Sequence, residues 1–135
     1  MPLINWNPSF SVNVAEMDAQ HQKLIDLINQ LHEAMLNGKA ALEVNVIVDK
    51  MVEYTQLHFN AEEKILAANR YPAFSKQKAE HDAFILKALE FKRDINQGNI
   101  TTSLHISNYL RSWLTGHIQG EDKLYGSYLN SKGIK

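Results

Sequence analysis

Residues 74–95 read FSKQKAEHDAFILKALEFKRDI, and their spacing points to a helical protein. Phe74, Gln77, His81, Phe84, Ala88, Phe91 and Ile95 recur at alternating steps of three and four. That spacing keeps one face of an α-helix turned inward and predicts a helix over about 73–96. Tyr71-Pro72 stands just before it, where proline suits a first helical turn, and Asn96–Asn99, with Gly98 inside, breaks it.

Working outward, Ile47, Met51, Thr55, His58, Glu62 and Ile65 share a stripe of a helix over about 41–69. Leu24, Ile28, Leu31 and Met35 define another over about 18–37, with Asp18 as its expected N-cap and Asn37-Gly38 as its stop. Thr101–Ser103 offers caps for a last helix over about 102–124, carrying Leu110, Trp113, His117 and Leu124. Residues 1–17 contain Pro2, Trp6, Pro8 and Phe10 without a steady period, and read as an ordered arm whose aromatics dock on the rest. No window alternates with period two over strand length. The expectation is an all-α, up-down-up-down four-helix bundle with an N-terminal arm, one domain spanning 1–135.

Composition narrows the function. Fourteen basic residues against fifteen acidic ones, a formal charge of −1, advertise neither nucleic acid nor an anionic membrane as a partner. The absence of cysteine excludes disulfides, zinc–thiolate sites, iron–sulfur clusters and covalently attached haem together. Apolar runs such as Ala83–Leu86 fall far short of the roughly 18 residues needed to span a bilayer. With no basic residue before Lys23 and no apolar leader, no signal peptide is visible, and a soluble cytoplasmic monomer is expected.

The anomaly lies on the inward stripes. His21, His58, Glu62, Gln77, His81 and His117 all occupy positions that the helical period assigns to the core. His58 and Glu62, like Gln77 and His81, are four apart and stack one turn above another. A lone inward histidine is ordinarily a hydrogen-bonded core residue, and so is a lone glutamine. Glu62 is different, because a glutamate is almost never fully buried unpaired and no Lys or Arg shares an inward stripe. Each unsatisfied group would cost at least about 1–3 kcal/mol, and together they would rival the stability of a whole domain. A bound cation compensates most economically. Nitrogen and carboxylate ligands without thiolate suit iron, manganese or zinc. His32 and His105 have no partner at ligand spacing, and Trp6, Trp113, Phe59 and Tyr109 are read as packing.

The Glu-x-x-His motif of ferritin-type bundles is absent. Instead the chain has a histidine on its first helix, His58-Phe59-Asn60-Ala61-Glu62-Glu63, Lys78-Ala79-Glu80-His81-Asp82, and Trp113-Leu114-x-x-His117-Ile118-x-x-x-Asp122-Lys123-Leu124-Tyr125, preceded by Asn5-Trp6 in the arm. In order and separation this set resembles the hemerythrins, most closely the single-domain bacteriohemerythrins. The resemblance implies a non-haem pair of iron ions (ferrous or ferric) with an oxo or hydroxo bridge, which binds dioxygen reversibly as hydroperoxide. It implies His21 and His58 on one iron, Gln77, His81 and His117 on the other, and Glu62 and Asp122 bridging. Dioxygen would bind the iron held by His21 and His58. Ile25, Leu114 and Ile118, one turn or less from ligands, are expected walls of a dry oxygen pocket.

Two features depart from a simple reading. At Gln77 the family carries a histidine; an amide oxygen is a weaker donor, which leaves open coordination, a water in the gap, or a weakly held second iron. His117 and Asp122 are five apart, about 140° around a regular helix. Both can face one metal pair only if the backbone is irregular between Leu114 and Asp122, and a π-bulge, eased by Gly116 and Gly120, is the expected device. Dioxygen storage, delivery or sensing is thus the expected function, without enzymatic turnover. The alternatives are an iron enzyme acting on peroxide or nitric oxide, and a structural or signalling module without redox chemistry.

Overall fold

The structure, a computed structural model, describes residues 3–97 and 102–135, and the side chains within them except those of Ala41 and 102–104. The helix-breaking signal around Gly98 and the caps expected at Thr101–Ser103 therefore lie largely outside what is described, as does Pro2. Helix α1 spans Ala15–Leu36, α2 Ala41–Ala68, α3 Phe74–Asn96 and α4 Thr102–Gly116. A π-helical turn, His117–Asp122, joins α4 to α5, Lys123–Ser131. Packing of α1 on α2 and α4, and of α3 on α2 and α4, closes the four-helix bundle. No helix among the described residues is long and apolar enough to cross a membrane.

Two boundaries differ from expectation. Asp18 is not the N-cap: α1 starts at Ala15, and Asp18 sits in its first turn. Its carboxylate instead reaches back to the arm, accepting Val12 N–H at 2.8 Å and Ser11 O–H at 2.6 Å, where the helix dipole also favours it. The last helix does not stop at 124 but runs on through α5 to Ser131, because Tyr125 and Leu129 bury their side chains completely.

Helix ends are closed by local hydrogen bonding. After α1, Gly38 at φ +66 donates to Met35 O while Lys39 N–H bonds Ala34 O. That is the Schellman pairing. Arg70 after α2 and Gly133 after α5 repeat it, with φ +54 and +83. The arm carries Ile4, Phe10, Val12 and Val14 into the core, and Asn29 clamps the Ile4 backbone through both N–H and C=O. Trp6 stacks on Phe10 with centroids 5.8 Å apart. The arm passes so close to α5 that a Cβ on Gly126 would lie 2.1 Å from Val12 O.

Candidate metal centre

The seven polar residues of the cluster come from four elements: His21 from α1, His58 and Glu62 from α2, Gln77 and His81 from α3, His117 and Asp122 from the π turn. The structure brings all seven into one buried cluster. The π turn is the irregularity that the five-residue spacing predicts, and it sets Asp122 Oδ1 3.1 Å from His117 Nε2. Glycine is not what permits it, however. Gly116 has ordinary helical angles, φ −65 and ψ −40, and a Cβ on either Gly116 or Gly120 would meet nothing within 4 Å. The turn is held by what its side chains reach.

Four imidazoles aim Nε2 at two carboxylates. Glu62 Oε1 lies 3.0 Å from His21 and 2.8 Å from His58, and Glu62 Oε2 lies 3.2 Å from His81. Asp122 Oδ2 lies 3.2 Å from His21. Among the described residues, two sets of donor atoms are close enough to share an ion: His21, His58 and Glu62, and Glu62, His81, His117 and Asp122.

The outer ring nitrogens decide what the inner ones can be. His81 Nδ1 donates to Glu63 Oε2 at 2.9 Å, and His58 Nδ1 to Gln20 Oε1 at 2.6 Å. With the proton on Nδ1, a neutral ring turns its Nε2 lone pair toward a carboxylate oxygen, an arrangement that repels unless a cation stands between. Glu62 Oε2 accepts no well-directed hydrogen bond at all. The donor set therefore fits a metal such as iron, with neutral imidazole and carboxylate and no thiolate.

Electrostatics show the same demand for positive charge. Burial alone would lower the pKa of His21, but hydrogen bonds to Asp122 and Glu62 and their charges outweigh it and raise it to about 10. For His117 too, burial opposes and Asp122 prevails, raising its pKa. Burial would raise the carboxyl of Glu62, yet where the facing rings carry protons in place of a metal, the charge of His58 and then the close imidazoles of His21 and His81 hold it well below the usual range. Burial and the charge of Glu62 would likewise raise the carboxyl of Asp122, but His117 and His21 keep it low.

Further side chains, outside the seven, surround this cluster. Tyr125, its phenol driven well above the usual pKa by burial and then by the charges of Glu62 and Asp122, donates to Glu62 Oε1 at 2.7 Å. Phe59 stacks flat on His81 with centroids 3.7 Å apart, and Trp113 on His117 at 4.3 Å. These aromatics are packing, as expected, but what they pack on is the imidazole rings. The i,i+4 spacing of Trp113 and His117 was the available signal; nothing in the spacing singled out Glu63, Gln20 or Tyr125. Ile25, Leu114 and Ile118 are buried in the core. His32, bonded to Ser107 Oγ at 2.8 Å, and exposed His105 stand apart from the cluster.

Fold and site together define a class, a four-helix bundle with a buried imidazole–carboxylate cluster of metal-binding type. The sequence model of the hemerythrin HHE cation binding domain matches residues 12–129. A bacteriohemerythrin of Methylococcus capsulatus is 30% identical over 132 residues, covering 97% of this chain and 100% of its own length. A hemerythrin-like protein of Naegleria gruberi is 31% identical over 125 residues, covering 93% of this chain and 92% of its own. A crystal structure of wild-type hemerythrin matches with a TM-score of 0.81 at 31% identity, over 93% of this chain and 96% of that one. The chain belongs to the hemerythrin family.

Proposed function

We propose that this protein binds dioxygen reversibly at a pair of non-haem iron ions. His21 and His58 would hold one ion, His81 and His117 the other, and Glu62 and Asp122 would be shared between them. The observation that carries this reading is the convergence of four imidazole Nε2 atoms on two buried carboxylates, 2.8–3.2 Å away. When bound, the iron pair supplies the electrons for reversible dioxygen binding. The protein's own part is to orient and to exclude. Glu63 and Gln20 hold the Nδ1 protons of His81 and His58, so that each ring presents Nε2 inward. Phe59 and Trp113 fix the ring planes of His81 and His117, and the Tyr125 phenol orients Glu62. Ile25, Leu114 and Ile118 are the proposed walls that keep water, and hence stray protons, away from bound oxygen.

A second reading, turnover of peroxide or nitric oxide by an iron enzyme, draws support from Gln77, whose amide stands where the family carries an imidazole. One experiment separates the two. Iron stoichiometry and the visible spectrum are recorded on anaerobically reduced protein, then in air, then after oxygen is removed. Two irons per chain and a charge-transfer spectrum that forms in air and reverses on deoxygenation are expected. Rapid irreversible bleaching with consumption of added peroxide would favour the enzyme, and protein that takes up no iron would sink both readings.

A further inference from the structure

Gln77 is the member of the cluster whose chemistry differs from its neighbours, and it is buried to 1% exposure. Its Nε2 lies 2.5 Å from Asp122 Oδ1, 3.3 Å from His117 Nε2 and 3.4 Å from His81 Nε2. An amide –NH₂ has two protons and no lone pair to offer a cation. Surrounded by a carboxylate oxygen and two ring nitrogens, it occupies the volume on which those three groups converge. Turning the amide over would set its oxygen against Asp122 Oδ1, two acceptors in close contact, so Asp122 itself fixes the donor orientation.

The asymmetry follows from which oxygen is taken. Asp122 Oδ1 is the one near His117, whereas Oδ2 faces His21. The donor atoms of His21, His58 and Glu62 therefore meet no amide, while those of His81, His117 and Asp122 all do. A metal entering the second set must displace the amide and break a buried, charge-assisted hydrogen bond. We infer that Gln77 divides the centre into a firmly held half at His21 and His58 and an exchangeable half at His81 and His117, by competing with the second metal instead of ligating it. This rests on the two-metal reading proposed above.

The test is an anaerobic titration of metal-free protein with Co²⁺, followed by calorimetry and by the ligand-field absorption of the bound ion. Wild type is compared with Gln77→Ala, Gln77→Leu and Gln77→His, each first checked for helicity by circular dichroism; the leucine fills the space that alanine would leave empty. Wild type is expected to bind in two steps, the second weaker by about tenfold or more, the size of effect that neighbours of ligands produce. Gln77→Ala and Gln77→Leu should tighten the second step, and Gln77→His should tighten it further; an unchanged second step in both Gln77→Ala and Gln77→Leu would show that the amide does not compete. Weakening of the second step by about tenfold in both Gln77→Ala and Gln77→Leu would overturn the inference, because the amide would then be supporting that metal. Two equal steps in wild type would overturn it as well. Uptake of a single ion, or none, by every variant including Gln77→His would instead bring down the two-metal reading on which the inference stands.

Discussion

Glu62 touches three of the four imidazoles and a phenol from a position with no solvent exposure, so those four rings are arranged around its charge. Replacement by alanine should collapse iron content instead of merely tuning it, whereas replacing a solvated glutamate changes little. Iron analysis of purified Glu62→Ala decides this, and full loading would remove Glu62 from the proposed bridge. The raised pKa of His21 gives a prediction in pH. Its folded-state value, about 10, lies above the ordinary 6.5, so the proton it holds contributes stability that is complete below 6.5 and is lost as pH rises toward 10. The metal-free protein should accordingly lose denaturation free energy between pH 6.5 and 10, while the metal-loaded form should not follow it, since metal takes the proton's place. Chemical denaturation of both forms at several pH values tests this. A metal-free protein equally stable at pH 7 and 10 would show that His21 carries no such proton. Gln77 is visible in the sequence through its four-residue spacing from His81, but its hydrogen bond to Asp122 depends on a residue 45 positions away.

At the level of elements, the last helix is the instructive case. Five residues between His117 and Asp122 cannot share a face of a regular helix, and the π turn absorbs the discrepancy. Glycine at 116 and 120 is not required for it, because neither a positive φ nor a close approach occurs there. The end of α2 offers a sharper test of local geometry. Arg70 is exposed, yet it adopts φ +54 at the position where glycine closes the other two Schellman pairings. A left-handed conformation costs an L-residue about 1–2 kcal/mol, part of which glycine returns through its freer unfolded chain. Arg70→Gly should therefore stabilise the protein by about 0.5–1 kcal/mol, read from denaturant midpoints at constant slope. A loss of stability would mean that the Arg70 side chain makes a contact that matters more than its backbone strain.

Across the whole molecule, the arm and the bundle are joined at Gly126. An alanine there would place Cβ 2.1 Å from a backbone oxygen of Val12, and backbone cannot yield as a flexible side chain does. Gly126→Ala should destabilise by about 1–3 kcal/mol, as overpacked cores do, and should lift the segment carrying Phe10 and Val12. Limited proteolysis near the arm and the fluorescence of Trp6 report that movement; an arm as protected as in wild type would refute it. The chain alone displays four helices, their inward faces and the polar residues lying on them, because helical period is a local property. It also determined that the last helix must depart from regularity, since angle per residue is arithmetic. It could not determine where α1 begins, because Asp18 serves the arm rather than its own helix end. Nor could it show that Glu63 orients His81, that Tyr125 reaches Glu62, or that Gln77 bonds Asp122. Those contacts join residues 18 to 63 positions apart, and only the closing of the bundle, which sets α2, α3 and the last helix around one volume, decides which donor meets which acceptor.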